Sequence, residues 1–107
     1  MKILLDENIP TKIKWDFSEN FEVKSVRDMG WLGKKNGELL RLMTENNFEL
    51  FVTVDRNLPY QQNLERLTLT IFVFSAKDNT RETLRLLIPK MLERLAEGNL
   101  QNVIEIA

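Results

Sequence analysis

The sequence predicts an α/β fold: a three-layer, doubly wound sheet of about five mainly parallel strands. Two observations carry that prediction. Short runs rich in aliphatic, β-branched and aromatic residues alternate along the chain with segments whose apolar residues recur at helical spacing, the order in which crossover helices join parallel strands. Two of the runs, Leu50-Phe51-Val52-Thr53-Val54 and Leu69-Thr70-Ile71-Phe72-Val73-Phe74, are apolar almost throughout, as central strands covered on both faces must be. A length of 107 residues suits one domain, residues 1–107, and 43% hydrophobic residues can give it a core without staples.

The first strand is Ile3-Leu4-Leu5, ending at Asp6. Pro10 stands where a helix can begin, and Ile9, Ile13 and Phe17, four residues apart, make a buried stripe, so a helix is expected over about residues 10 to 19. Phe21 to Val26 alternates with period two and reads as a flanking strand. A loop through Gly30 and Gly33 reaches Asn36, a good N-cap, after which Leu39, Leu40 and Met43 mark an amphipathic helix. A short helix is expected between the third and fourth strands. Asn79 and Glu82 form a candidate capping pair for the last helix, whose Leu84, Leu87, Ile88, Met91, Leu92 and Leu95 keep helical spacing. Pro89 should kink that helix and Gly98 should close it, leaving Val103-Ile104-Glu105-Ile106 as a fifth strand. Right-handed crossovers are expected throughout.

Composition excludes several chemistries. The chain has no Cys and no His, so it holds no disulfide framework, thiolate or imidazole zinc site, cysteine nucleophile or Ser-His-Asp triad. Fifteen Lys and Arg against 16 Asp and Glu give a net charge of -1, short of the basic balance of an ordinary nucleic-acid clamp. The start, Met1-Lys2-Ile3-Leu4-Leu5-Asp6, turns acidic too soon for a signal peptide or a membrane span, and the expectation is a soluble, cytoplasmic protein with no membrane partner.

In such sheets function sits at the carboxyl edge of the strands. Asp6 ends the first strand and Asp55 the third; if those strands are neighbours, about 4.8 Å apart, their carboxylates can converge on one cation. Glu38, in the first turn of the helix after Asn36, opens at the same edge, and Glu7 and Asp28 are further acidic residues there. Oxygen ligands without imidazole or thiolate suit Mg²⁺ or Mn²⁺. A plainer reading stands beside this one: Asp between strand and helix often caps the helix, and Glu in a first turn gains from the helix dipole. The same edge collects Arg27, Lys34, Lys35, Arg56, Lys77 and Arg81, whereas the opposite edge carries Glu19, Glu22, Glu45, Glu49 and Glu97 with few cations. A cationic rim around an acidic centre would steer a polyanion despite the acidic pI near 5.5. Tyr60, Gln61, Gln62 and Asn63 add an aromatic face and amides suited to an unpaired base. Trp31 is expected to anchor its loop in the core, and Trp15, off the Ile13 and Phe17 stripe, to lie exposed and mark a partner surface.

Three segments, Leu5-Asp6-Glu7-Asn8-Ile9-Pro10, Gly37-Glu38-Leu39-Leu40 and Val52-Thr53-Val54-Asp55-Arg56-Asn57-Leu58, together resemble the PIN-like nuclease superfamily, in its short branch linked with toxin-antitoxin pairs. The resemblance implies that Asp6, Glu38 and Asp55 hold Mg²⁺ or Mn²⁺ for hydrolysis of RNA phosphodiesters; the residues expected to meet the substrate, from the cationic rim and the polar residues after Asp55, are Arg56, Asn57, Lys34, Lys35, Arg81 and Gln62. Its implied partners are RNA, an antitoxin-like protein and a second copy of the chain. Two departures accompany it: no assured equivalent of the family's further helical acidic residue, for which Asp28 is a candidate, and Asn57 where a second Asp often stands. Two alternatives remain, a non-catalytic PIN-like binding module and a receiver-like domain phosphorylated on Asp55. The receiver resemblance rests on Asp6-Glu7, Asp55 and Ser75-Ala76, but lacks a Lys in Val103 to Ala107.

Overall fold

The computed structural model describes residues 1–57, 69–98, 100 and 102–107. Among these residues β1 (Lys2–Leu5), β2 (Glu22–Ser25), β3 (Leu50–Thr53), β4 (Thr70–Phe74) and β5 (Val103–Ile106) form one sheet in the order β2-β1-β3-β4-β5. Every neighbouring pair is parallel. A 3₁₀ helix at Thr11–Asp16 joins β1 to β2, and α1 (Asn36–Glu45) joins β2 to β3. Between β4 and β5 lie α2 (Arg81–Leu84), a 3₁₀ turn (Arg85–Leu87) and α3 (Ile88–Glu97).

Side-chain alternation along these strands builds two cores. On face A, Ile3 and Leu5 of β1, Leu50 and Val52 of β3, Phe72 and Phe74 of β4, and Ile104 and Ile106 of β5 pack under Ile9, Ile13 and Phe17 and under Leu84, Leu87, Ile88 and Met91. On face B, Leu4, Phe51, Ile71 and Val73 pack under Leu39, Leu40 and Met43 of α1 and under Phe48. The sheet is thus the middle of three layers.

The placement of the connections reveals the sense in which the chain winds. From β1 to β2 the chain steps outward over face A; from β2 it steps back past β1 to β3 over face B. Opposite steps on opposite faces share one hand. The step from β4 to β5 runs in the same direction as that from β2 to β3, yet its helices cover face A, so its hand is reversed. With the first two right-handed, as nearly all such connections are, the last is left-handed. The expectation of uniform right-handed crossovers is corrected on this point. A six-residue 3₁₀ helix is too short to cover face A alone, and α2 and α3 bury Phe72, Phe74, Ile104 and Ile106 there.

Other local expectations shift for identifiable reasons. The helix expected over residues 10 to 19 is the 3₁₀ helix Thr11–Asp16, because Phe17 is already extended at φ -88 and ψ 152. Asn36 is the first residue of α1, with Lys35 at the cap position. The last helix is capped by Thr80, whose Oγ1 accepts from Thr83 N at 3.3 Å, in place of the Asn79 and Glu82 pair. Asp78 accepts from the Thr80 hydroxyl at 2.7 Å and holds it in position. Pro89 acts as more than a kink: the 3₁₀ turn separates α2 from α3, and Pro89 occupies the first turn of α3, where its missing N–H costs nothing. Gly98 closes α3 with φ 82, a backbone conformation that glycine adopts freely. Asn47 takes the equivalent left-handed conformation after α1, at φ 65. There Phe48 N reaches Met43 O and Asn47 N reaches Thr44 O, a Schellman closure whose Phe48 and Met43 side chains both enter the face B core.

Candidate functional site

The strand order reverses direction between β1 and β3: from β1 the chain goes one way to β2, and β4 and β5 lie on the other side. In open parallel sheets the crevice beyond the carboxyl ends of two such strands is where ligands bind. Asp6 immediately follows β1 and Asp55 lies two residues beyond β3, so both aspartates stand at that point.

Asp6 is only 7% exposed and Thr53, beside it on β3, is fully buried. The backbone places them: Asp6 N donates to Val52 O at 2.9 Å, extending the β1–β3 ladder by one residue. Thr53 Oγ1 then donates to Asp6 Oδ2 at 2.6 Å, and Glu7 N donates to Asp6 Oδ1 at 2.8 Å. Thr53 Oγ1 also accepts from Asp55 N at 3.0 Å, so one hydroxyl ties the two acidic residues to one strand end. Asp55 Oδ1 accepts from Asn57 N at 2.9 Å, which folds the chain back in an Asx turn.

Burial raises the pKa of Asp6 above the ordinary carboxylate value; the Thr53 and Glu7 hydrogen bonds oppose the rise, and the Glu7 and Asp55 carboxylates add to it. Among the described residues, Asp6, Glu7 and Asp55 at this edge are engaged by no ion pair.

Other predicted site residues are engaged elsewhere. Glu38 does not join Asp6 and Asp55: it faces Lys34 at 3.3 Å and Arg41 at 3.9 Å along α1, and among the described residues no three acidic side chains converge as a metal-holding group. Asp28 closes the turn after β2, accepting from Ser25 N at 2.9 Å while its own N donates to Ser25 Oγ, and it pairs with Lys14 at 3.2 Å. Its pKa is lowered, chiefly by the Ser25 backbone bond. Arg81 spends two guanidinium nitrogens on Asp16, Nε to Oδ2 at 2.9 Å and Nη2 to Oδ1 at 3.0 Å, a forked clamp between α2 and the first 3₁₀ helix. Lys34 is likewise paired, with Glu38. Arg27 and Lys35 are exposed and make no ion pair among the described residues, and exposed Arg56 donates to Ser75 Oγ across the ends of β3 and β4. Gln62, with Tyr60, Gln61 and Asn63, lies outside the described residues, as does the short helix expected before β4.

Sequence reasoning does not assign roles to Thr53 as holder of both aspartates or to Ser75 as partner of Arg56. The available signal is a hydroxyl residue ending an otherwise apolar central strand, where only a hydrogen-bonded polar group can be buried cheaply.

The donor chemistry fits a hard divalent cation in one respect and not in another. A desolvated carboxylate that feels the charge of two others is oxygen chemistry of the kind Mg²⁺ or Mn²⁺ prefers, but the three do not converge as a metal-holding group. The set comprises Asp6 and Asp55 with Glu7 alongside, and Glu38 is outside it. No family model matches this chain, and neither a curated protein nor a solved structure matches it.

Proposed function

We propose that the chain is a metal-dependent ribonuclease of PIN-like type, working in the cytoplasm as the toxin of a toxin-antitoxin pair. The observation that carries the reading is the placement of Asp6 and Asp55, engaged by no ion pair among the described residues, at the switch point of the parallel sheet. Asp6 and Asp55 would hold Mg²⁺ or Mn²⁺, and a bound ion of that kind supplies activation of water and neutralisation of phosphate charge. The chain's own residues do the rest. Thr53 keeps both aspartates on the strand end, and the depth of Asp6 limits water around its carboxylate. Arg56, braced by Ser75, presents a guanidinium to a phosphodiester backbone, with Arg27 and Lys35 as further cations for a polyanion.

The receiver-like alternative gains support from the strand order, which receivers share. Against it stand the reversed last crossover and the absence of Lys in β5 and Ala107. The test is cleavage of single-stranded RNA by the purified protein with Mg²⁺ or Mn²⁺, with expected loss on adding EDTA and in Asp6→Asn. Cleavage surviving in Asp6→Asn would assign it to a contaminant or another site. RNA binding without cleavage would support the non-catalytic module, and labelling of Asp55 by acetyl phosphate the receiver.

A further inference from the structure

Trp15 is 67% exposed and belongs to neither core. Its backbone is nonetheless tied down on both sides. Lys14, before it, pairs at 3.2 Å with Asp28 in the turn after β2. Asp16, after it, takes both bonds of the Arg81 fork at the start of α2, the element that follows β4. The sheet order sets β1 and β3 between β2 and β4, so the first 3₁₀ helix lies across face A in front of the two strands whose ends carry Asp6 and Asp55. Asp28 and Arg81 both stand in connections that leave the carboxyl ends of strands, and through them the Trp15 segment is fastened to that edge. A large ring that is open to water while its neighbours are fixed has already given up the freedom that a ligand would otherwise have to remove.

The surroundings of the ring describe its ligand. The Arg81 guanidinium lies 5.9 Å from the indole centroid. Asp16 feels both Arg81 and Arg85, Arg81 feels both Asp16 and Glu82, and Asp28 feels Lys14. Charges beside the indole thus answer one another with opposite sign, and the surface left open is a flat uncharged ring. It suits another flat uncharged ring better than an ion. A nucleobase is such a ring, and every base has a face that stacks on an aromatic side chain. Arg27, immediately before Asp28, is exposed and in no ion pair among the described residues. It supplies a cation for the phosphate beside the base, and an aromatic platform next to a backbone-tracking cation is how single strands are bound without regard to sequence.

We propose that Trp15 is a stacking platform for one unpaired base of a single-stranded RNA, with Arg27 meeting a neighbouring phosphate. The proposal deepens the ribonuclease reading and rests on it for the substrate: a strand whose phosphodiester lies at Asp6 and Asp55 lays a nearby base over face A onto the indole.

The test measures binding with EDTA present, so that no metal-dependent cleavage intervenes. The probes are a short labelled oligouridylate and an abasic oligomer of the same length and charge, read by fluorescence anisotropy. The parent should bind the oligouridylate about tenfold more tightly than the abasic oligomer. Trp15→Ala should erase that difference while leaving abasic binding unchanged, which also shows that the variant is folded; Trp15→Phe should keep most of it, and Arg27→Glu should weaken both probes. Stacking quenches indole emission, so the oligouridylate should dim the parent and leave Trp15→Ala, whose remaining tryptophan is Trp31, unaffected. Equal affinity of the parent for both probes, or oligouridylate binding untouched by Trp15→Ala, would overturn the proposal, and Mn²⁺-dependent cleavage by the same protein would leave the ribonuclease reading standing without it. Trp15-dependent binding with no cleavage in Mg²⁺ or Mn²⁺ would do the reverse. A parent dimer that Trp15→Ala dissolves in sedimentation would overturn it as well, since the indole would then belong to an interface with a second copy.

Discussion

Asp6 carries two opposed demands, and its titration separates them. Its folded pKa is raised, so between the ordinary carboxylate value and that raised value the folded chain binds more protons than the unfolded chain. The stabilisation is complete below the unfolded pKa and is lost as pH rises through the folded one. Asp6→Asn, measured with EDTA, is therefore expected to melt at the same temperature as the parent or higher at neutral pH, with the gain vanishing in acid. Mn²⁺ should stabilise the parent by mass action and the variant much less. A Tm that falls at neutral pH, with Mn²⁺ shifting both proteins alike, would mark Asp6 as a cap for the turn at Glu7 and nothing more. Thr53→Val tests the other half of the arrangement. It leaves Asp6 Oδ2 and Asp55 N without the hydroxyl they share, and a loss of about 1–3 kcal/mol in denaturant unfolding is expected for such buried groups. Full stability in Thr53→Val would mean that water replaces the hydroxyl.

At the scale of elements, the helix ends give the sharpest expectations. Thr80→Ala should cost about 1 kcal/mol, the usual value of an N-cap, whereas Asn79→Ala should cost far less, because the Asn79 and Glu82 pair is not the cap. Asn47→Val should cost about 1–2 kcal/mol by forcing a β-branched residue to φ 65, and Asn47→Gly should be neutral or stabilising. Equal unfolding midpoints for the two Asn47 variants would contradict the left-handed closure of α1. The strands are legible in the sequence because apolar runs of the Phe51 and Phe72 kind have few alternatives, and α1 and α3 because Leu39, Leu40 and Met43 and then Ile88, Met91 and Leu92 repeat at helical spacing. The first connection is legible only as a buried stripe. Ile9, Ile13 and Phe17 do reach the core, but spacing by four does not distinguish a continuous helix from a short 3₁₀ turn entered and left through extended residues. Among the acids, Asp6 and Asp55 can be found because strand ends fix where they stand. Glu38 falls in with them in the sequence because it opens a helix at the same edge, and no pattern of residue types tells that its side chain turns along α1 to Lys34 and Arg41.

For the whole molecule, charge and pH act through different residues. Asp16, Asp28 and Asp78 have lowered pKa values, held first by the hydrogen bond from Arg81, the Ser25 backbone bond and the Thr80 hydroxyl respectively. They contribute stability that is present above the ordinary carboxylate value and is lost as pH falls through their folded values, opposite in sign to Asp6. Polyanion binding should depend on the cations placed after the strands at the carboxyl edge that no ion pair engages among the described residues. Reversing Arg27, Lys35 and Arg56 should weaken RNA binding more than reversing Lys12 and Lys90, and every phosphate that a reversal leaves unneutralised should lower the salt slope by about 0.7. Equal losses in the two sets, read by fluorescence anisotropy against salt, would rule out a cationic rim at the carboxyl edge. Lys34 and Arg81 should show smaller effects than their position in the sequence suggests, since Glu38 and Asp16 already hold them.

The reversed crossover between β4 and β5 makes the flat diagram of this sheet ambiguous. Drawn as an ordered row of arrows, the sheet coincides with any uniformly wound sheet of order 2-1-3-4-5; among the described connections, the two differ in which side of the page the last helices occupy. In the uniform version those helices would join α1, and the seam between them and the first 3₁₀ helix would not exist. Arg81 could not clamp Asp16, and the cavity that Asp16 lines with Arg85, Leu86, Ile88, Pro89 and Leu92 would have no second wall. Transfer of residues by strand order from a uniformly wound protein would therefore carry over the crevice between β1 and β3 but set every residue of the last connection on the wrong side of the sheet. Handedness is the coordinate that any alignment to this chain has to match first.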